Sequence, residues 1–94
     1  MDIKVLEEEF NLIVAVSKEF HAKKVILFGS CLDNVESARD IDIAVSGIAP
    51  GKFFKYYGRI SGEISDEADI VDLDDLRRHF YEKIMSHGRV IYAR

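Results

Sequence analysis

The segment Asp40-Ile41-Asp42-Ile43-Ala44-Val45 constrains this chain more than any other. It alternates strictly, and a period of two is the signature of a β-strand with one buried face. Ile41, Ile43 and Val45 share one face; Asp40, Asp42 and Ala44 share the other. Aspartate is a poor strand former, and two like charges on one face repel each other. The apolar face anchors the strand and holds the carboxylates rigidly, so their repulsion needs compensation. A divalent cation supplies it most simply, since Mg²⁺ takes oxygen ligands. The plainer alternative is an outer sheet face open to solvent, with Arg39 beside Asp40.

Around this strand the periodicity switches repeatedly between helix and strand. Residues 2–21 predict a helix with Ile3, Leu6, Phe10, Ile13, Val14 and Phe20 on one stripe. Asp2 is its candidate cap, and Glu7, Glu8 and Glu9 read as a solvated face. Val25-Ile26-Leu27-Phe28 is a continuous apolar run ended by Gly29, the pattern of a strand buried on both faces. Residues 52–65 return to helical spacing through Phe53, Tyr57, Ile60 and Ile64. Gly58 and Gly62 inside that helix predict close packing against the sheet, or else a weaker helix beside a site. Residues 68–73 read as a third strand. Asp74 or Asp75 then starts a helix carrying Leu76, Phe80 and Ile84, with Gly88 as a left-handed cap. Val90-Ile91-Tyr92 adds a short terminal strand. The alternation predicts an α/β (α+β) layer fold in a single domain over 1–94.

Composition narrows the function classes. The chain has 94 residues and a net charge of −4, a poor match to the basic surface that direct nucleic-acid binding requires. Its one cysteine cannot form an internal disulfide, which fits a reducing, cytoplasmic setting. The N-terminal MDIKVLEEEF lacks the basic and apolar regions of a signal peptide, and no apolar run is long enough for a membrane span. Cys31 has no histidine neighbour to activate it, and His21, His79 and His87 lack metal-ligand spacing with it. The aromatic residues Phe53, Phe54, Tyr56 and Tyr57 divide between core packing and an outward face for a base or a partner. Arg77, Arg78, Lys83, Arg89 and Arg94 make the C-terminal end basic, either as a solvated face or as contact for an acidic partner.

The chemistry lies in the spacing. Gly29-Ser30 follows a buried strand directly, and a Gly-Ser turn there offers backbone N–H groups and a hydroxyl to a phosphate. Nine residues separate Ser30 from Asp40. The third strand adds Asp69 and Asp72, which alternation places on opposite faces, so only one of them can join Asp40 and Asp42. Phosphate cradle, paired carboxylates and a third carboxylate are the components of metal-assisted nucleotidyl transfer.

In that order, Val25-Ile-Leu-Phe-Gly-Ser30, Asp40-Ile-Asp-Ile-Ala-Val45, Ala68-Asp-Ile-Val-Asp-Leu73 and the ending Ile84-Met-Ser-His-Gly-Arg-Val-Ile-Tyr92 resemble the minimal nucleotidyltransferase family of the DNA polymerase β superfamily. The resemblance covers nearly the whole chain. It implies a nucleotidyltransferase fold: a small mixed sheet with core strand order 1-2-3, flanked by helices. It implies a HEPN-domain partner, with the chain as antitoxin of a toxin–antitoxin pair, and AMP transfer from ATP (or another nucleoside triphosphate) to a tyrosine of the toxin. Carried over by position, Gly29 and Ser30 hold the triphosphate. Asp40 and Asp42 ligate Mg²⁺ (or Mn²⁺), and Asp69 completes the metal site and helps activate the attacking hydroxyl. The chain departs from the family in two places. Its loop from Ser30 to Asp40 is one residue shorter than usual. Where members carry Arg or Lys after the Gly-Ser, it has Cys31-Leu-Asp-Asn34, with a carboxylate at Asp33.

Three functions follow for weighing. The first is an Mg²⁺-dependent enzyme that modifies a partner protein. The second is an antitoxin that masks a HEPN ribonuclease by contact alone. The third is a small-molecule nucleotidyltransferase, which would need room for an acceptor pocket. Each is compatible with a homodimer or a hetero-oligomer.

Overall fold

A computed structural model of the chain describes residues 3–29, 40–65 and 67–94. Helix α1 (Ile3–Glu19) leads into strand β1 (Lys24–Phe28). Strand β2 (Asp40–Ser46), helix α2 (Phe53–Glu63) and strand β3 (Glu67–Asp72) follow. A 3₁₀ turn (Leu73–Asp75), helix α3 (Arg78–His87) and strand β4 (Arg89–Ala93) complete the described chain. The four strands form one mixed sheet in the order β3-β2-β1-β4. β1 pairs antiparallel with both β2 and β4, while β2 pairs parallel with β3 through the α2 crossover. The expected core order 1-2-3 and the α+β layering are therefore present.

Alternation in β2 sorts the sheet into two faces. Ile41, Ile43 and Val45 are fully buried with Val25 and Leu27, beneath Ile13 and Val16 of α1 and Tyr56 and Ile60 of α2. Burying each such aliphatic side chain is worth about 1.5–3 kcal/mol, so this face anchors the strand. On the other face Ile26 and Ala44 pack against Leu73 of the 3₁₀ turn and Ile84 of α3. β1 is buried on both sides, as its continuous apolar run requires. Among the described residues no helix is long and apolar enough to cross a membrane.

Four local expectations are corrected. Glu9 is buried, not solvated: its Oε1 accepts from the Ser65 backbone N–H at 3.0 Å and from Ser65 Oγ at 2.8 Å, tying α1 to the end of α2. Gly58 and Gly62 have nothing within 4 Å of an added Cβ, so they do not serve close packing. Gly88 has φ −77° and does not adopt a left-handed cap; an added Cβ there would meet Ile26, so the glycine instead lets the chain pass close under β1. Helix α3 starts at Arg78 rather than at Asp74 or Asp75. Those aspartates lie in the 3₁₀ turn, where the Asp72 carboxylate accepts from Asp74 N–H at 3.0 Å. The candidate cap Asp2 lies outside the described residues.

The stripe on α2 also differs by one residue. Tyr56 is fully buried and Phe54 is 91% exposed, so the aromatic group does divide between core and solvent. Ser17 Oγ donates to the Ile13 carbonyl at 2.6 Å, which leaves it to accept from the Tyr56 hydroxyl at 2.7 Å. Burial pushes the Tyr56 phenol up to about 12, against a smaller opposing effect of the Ser17 bond.

Candidate active site

The ladder register brings the sequence-selected carboxylates together. Asp42 lies opposite Phe28 on β1 and opposite Asp69 on β3, with Asp40 two residues back on the same face and paired with Glu67. Adjacent strands run about 4.8 Å apart, so Asp42 and Asp69 stand side by side. Asp72 pairs with Val45 on the opposite face and serves as the cap of the 3₁₀ turn. Glu67, which the sequence reading passed over, is an additional acid on the carboxylate face. Its signal was its place two residues before Asp69.

This face runs from solvent into the second apolar cluster. Asp40 and Asp69 are exposed, Asp42 is partly buried, and Ala44 beyond it is fully buried. Burial raises the Asp42 carboxyl above its ordinary value, and the neighbouring Asp69 and then Asp40 raise it further. Asp42 is thus a carboxylate whose charge the fold disfavours, the electrostatic condition that a bound cation relieves.

Gly29 closes the site on the β1 side. Its φ is +79°, and an added Cβ would overlap the Asp42 carboxylate, lying 3.0 Å from its Cγ. Glycine is required here twice, for the left-handed backbone and for the close approach to Asp42. Gly29→Ala is expected to cost about 1–2 kcal/mol of stability and to displace the Asp42 side chain. Denaturant unfolding measures the first effect and nucleotide titration the second; a variant equal to wild type in both would contradict this geometry. Ser30, Cys31, Asp33 and Arg39 lie outside the described residues.

Among the described residues no group of three or more His, Cys, Asp or Glu is arranged to hold a metal ion. The donor set still fits Mg²⁺, which keeps several waters and is commonly bound by one or two carboxylates plus substrate phosphates rather than by a protein cage. Asp40 and Asp42 would be those carboxylates, with Asp69 adjacent.

Beside Gly29 a cleft of about 670 Å³ opens between the end of β1 and α3. Phe28 and Phe80 meet edge to face at its wall, with ring centroids 6.1 Å apart. His79, Lys83 and His87 line it from one row of α3. The aromatic residues of α2 do not line this cleft, and their helix packs on the other face of the sheet.

Comparisons with known proteins agree with this architecture. The family model described as polymerase beta, nucleotidyltransferase matches residues 11–94. A solved structure of a minimal nucleotidyltransferase is 22% identical, with a TM-score of 0.74 and 94% of each chain covered. The tri-AMPylated Shewanella oneidensis HEPN toxin in complex with MNT antitoxin contains a chain 18% identical, with a TM-score of 0.73, covering 94% of this chain and 72% of that one. A toxin–antitoxin structure with AMP-PNP gives 19% identity and a TM-score of 0.75 over 90% of this chain and 73% of that one. These likenesses establish a shared fold. No curated protein sequence matches the chain.

Proposed function

This chain belongs to the polymerase beta nucleotidyltransferase family, and we propose that it transfers AMP from ATP to a tyrosine hydroxyl of a HEPN-type toxin, acting as its antitoxin. The observation that carries this reading is the Asp42–Asp69 pair in the β2–β3 ladder, with Asp40 on the same face and Gly29 pressed against Asp42. The solved toxin–antitoxin complexes of the same fold, one with an AMPylated HEPN toxin and one with AMP-PNP, support the partner and the nucleotide.

Asp40 and Asp42 would hold Mg²⁺ (or Mn²⁺), which supplies charge stabilisation at the attacking and leaving oxygens when bound. Gly29 would offer its backbone N–H to a phosphate, and the Ser30 hydroxyl would donate to it. Asp69, beside Asp42 in the ladder, would accept the proton of the incoming hydroxyl. The acceptor oxygen bonds to the α-phosphorus, the bond from that phosphorus to the bridging oxygen breaks, and pyrophosphate leaves. Positioning the hydroxyl and the phosphorus within about 3–3.5 Å supplies much of the acceleration.

The test is intact-mass spectrometry of the HEPN protein that binds this chain, after incubation with the chain, Mg²⁺ and ATP. The expected result is one adenylyl group gained per modified tyrosine, and none with Asp40→Ala. A partner that stays unmodified yet is still inhibited would replace the enzyme reading with masking by contact alone.

A further inference from the structure

We propose that Lys83, flanked by His79 and His87 on the same row of α3, holds the two phosphates of the nucleoside triphosphate that are not transferred. The inference rests on the nucleotidyl-transfer reading and adds a polyphosphate-binding residue to it.

The charge on the site face requires such a group. Asp40, Asp42, Asp69 and Glu67 make that face acidic, and a triphosphate brings several further negative charges. A divalent cation held by Asp40 and Asp42 would neutralise only part of them. Between Gly29 and Asp40 the sequence carries one cation, Arg39, against two further acids, Asp33 and Glu36. That segment has no net positive charge to offer the distal phosphates, which points to another element as their main counter-charge.

Helix α3 provides it in the right direction. The sheet order places the carboxylates on the β2–β3 side of Gly29 and the cleft on the β1 side. A polyphosphate whose α-phosphate sits by Asp42 and whose chain passes the Gly29 backbone runs toward that cleft. Lys83 and Gly29 line the same cleft, and residues 79, 83 and 87 are one helical row by their spacing of four. Lys83 has no ion-pair or hydrogen-bond partner among the described residues, whereas Arg78 on the same helix is committed to Glu82 at 3.0 Å. The edge-to-face contact of Phe80 with Phe28 and the burial of Ile84 fix α3 against β1, which sets the distance between the Lys83 row and the Gly29 turn. A lysine ammonium is a compact point charge suited to phosphate oxygens.

Binding of adenosine, AMP, ADP, ATP and inorganic tripolyphosphate to the full chain in Mg²⁺, by isothermal titration calorimetry, tests the assignment. Lys83→Ala is expected to weaken ATP and tripolyphosphate binding about 10–100-fold and AMP binding less than about twofold. Lys83→Arg should restore most of the loss, and the exposed position should leave the unfolding midpoint unchanged. An unchanged ATP affinity overturns the proposal, as does an equal loss for AMP and ATP, or a loss that appears in Arg39→Ala and not in Lys83→Ala. Those three results leave nucleotidyl transfer standing. A wild-type chain that binds no ATP with Mg²⁺ instead overturns nucleotidyl transfer itself, and this inference falls with it.

Discussion

Asp42→Asn is expected to make the metal-free chain more stable while removing its transfer activity. The two effects share one cause. Asp42 stands against Asp69 across the parallel ladder and two residues from Asp40, and it sits where the carboxylate face enters the apolar cluster. Burial and both neighbouring acids disfavour its charge. The amide removes that charge at nearly the same volume, and relief of like-charge repulsion between strand neighbours is worth about 0.5 kcal/mol. The same change removes an anionic ligand from the proposed metal site. Losing several kcal/mol of transition-state stabilisation corresponds to a fall of about a thousandfold in rate.

The pH dependence has a definite sign. A carboxyl whose value is raised on folding is protonated more readily in the folded chain than in the unfolded one. Its contribution to stability is fully present below the ordinary value of 3.8 and is lost as pH rises through the raised folded value. In EDTA the Asp42 contribution should therefore grow as pH falls toward the ordinary carboxylate range, and Asp42→Asn should lose that component. With Mg²⁺ and ATP the order reverses, because ligands that bind only the native state stabilise wild type by mass action. Thermal unfolding of both proteins, with and without Mg²⁺ and ATP, reads all of this. An amide variant less stable than wild type in EDTA, or one that still transfers, would remove Asp42 from the role given to it.

The features legible in the sequence were those written in one strand at a time. Strict alternation in Asp40–Val45 fixed which residues share a face, and the continuous run Val25–Phe28 marked the central strand. The features that stayed hidden depend on pairs of distant segments. Glu9 looked solvated within its run of three glutamates, and only the approach of Ser65 makes it a buried acceptor. Tyr56 fell outside the expected stripe because Ser17, 39 residues earlier, is what satisfies its hydroxyl. The Gly88 prediction followed helix-end statistics, yet the close passage beneath Ile26 explains the glycine better than backbone handedness does. The row of His79, Lys83 and His87 was visible as helical spacing. Its relation to Gly29 was not, since it depends on how α3 crosses the end of β1.

The choice between Asp69 and Asp72 yields the second large effect. Both aspartates are on β3, three residues apart, and a shift of one residue in register would exchange their faces. The parallel pairing sets Asp69 beside Asp42, and it sets Asp72 beside Val45, whose side chain belongs to the opposite core. Asp72 already has a structural task, since its carboxylate accepts from Asp74 N–H at the head of the 3₁₀ turn. Asp74 in turn accepts from Gly47 N–H at 2.9 Å, so this chain of contacts ties the turn to the end of β2. Asp69→Asn should keep the fold and lower transfer about a thousandfold, because it removes the proposed proton acceptor and an anion beside the proposed metal site. Asp72→Asn keeps a capping oxygen and should cost only a few tenths of a kcal/mol, whereas Asp72→Ala loses the cap and about 1 kcal/mol. Neither Asp72 variant should change the transfer rate by more than about twofold, well inside the 1.4 kcal/mol that a tenfold change represents. Single-turnover transfer assays alongside denaturant unfolding separate the two roles. If Asp72→Asn abolishes transfer and Asp69→Asn only destabilises, the carboxylate at the chemical centre is Asp72, and the β2–β3 register has to move by one residue to bring it there.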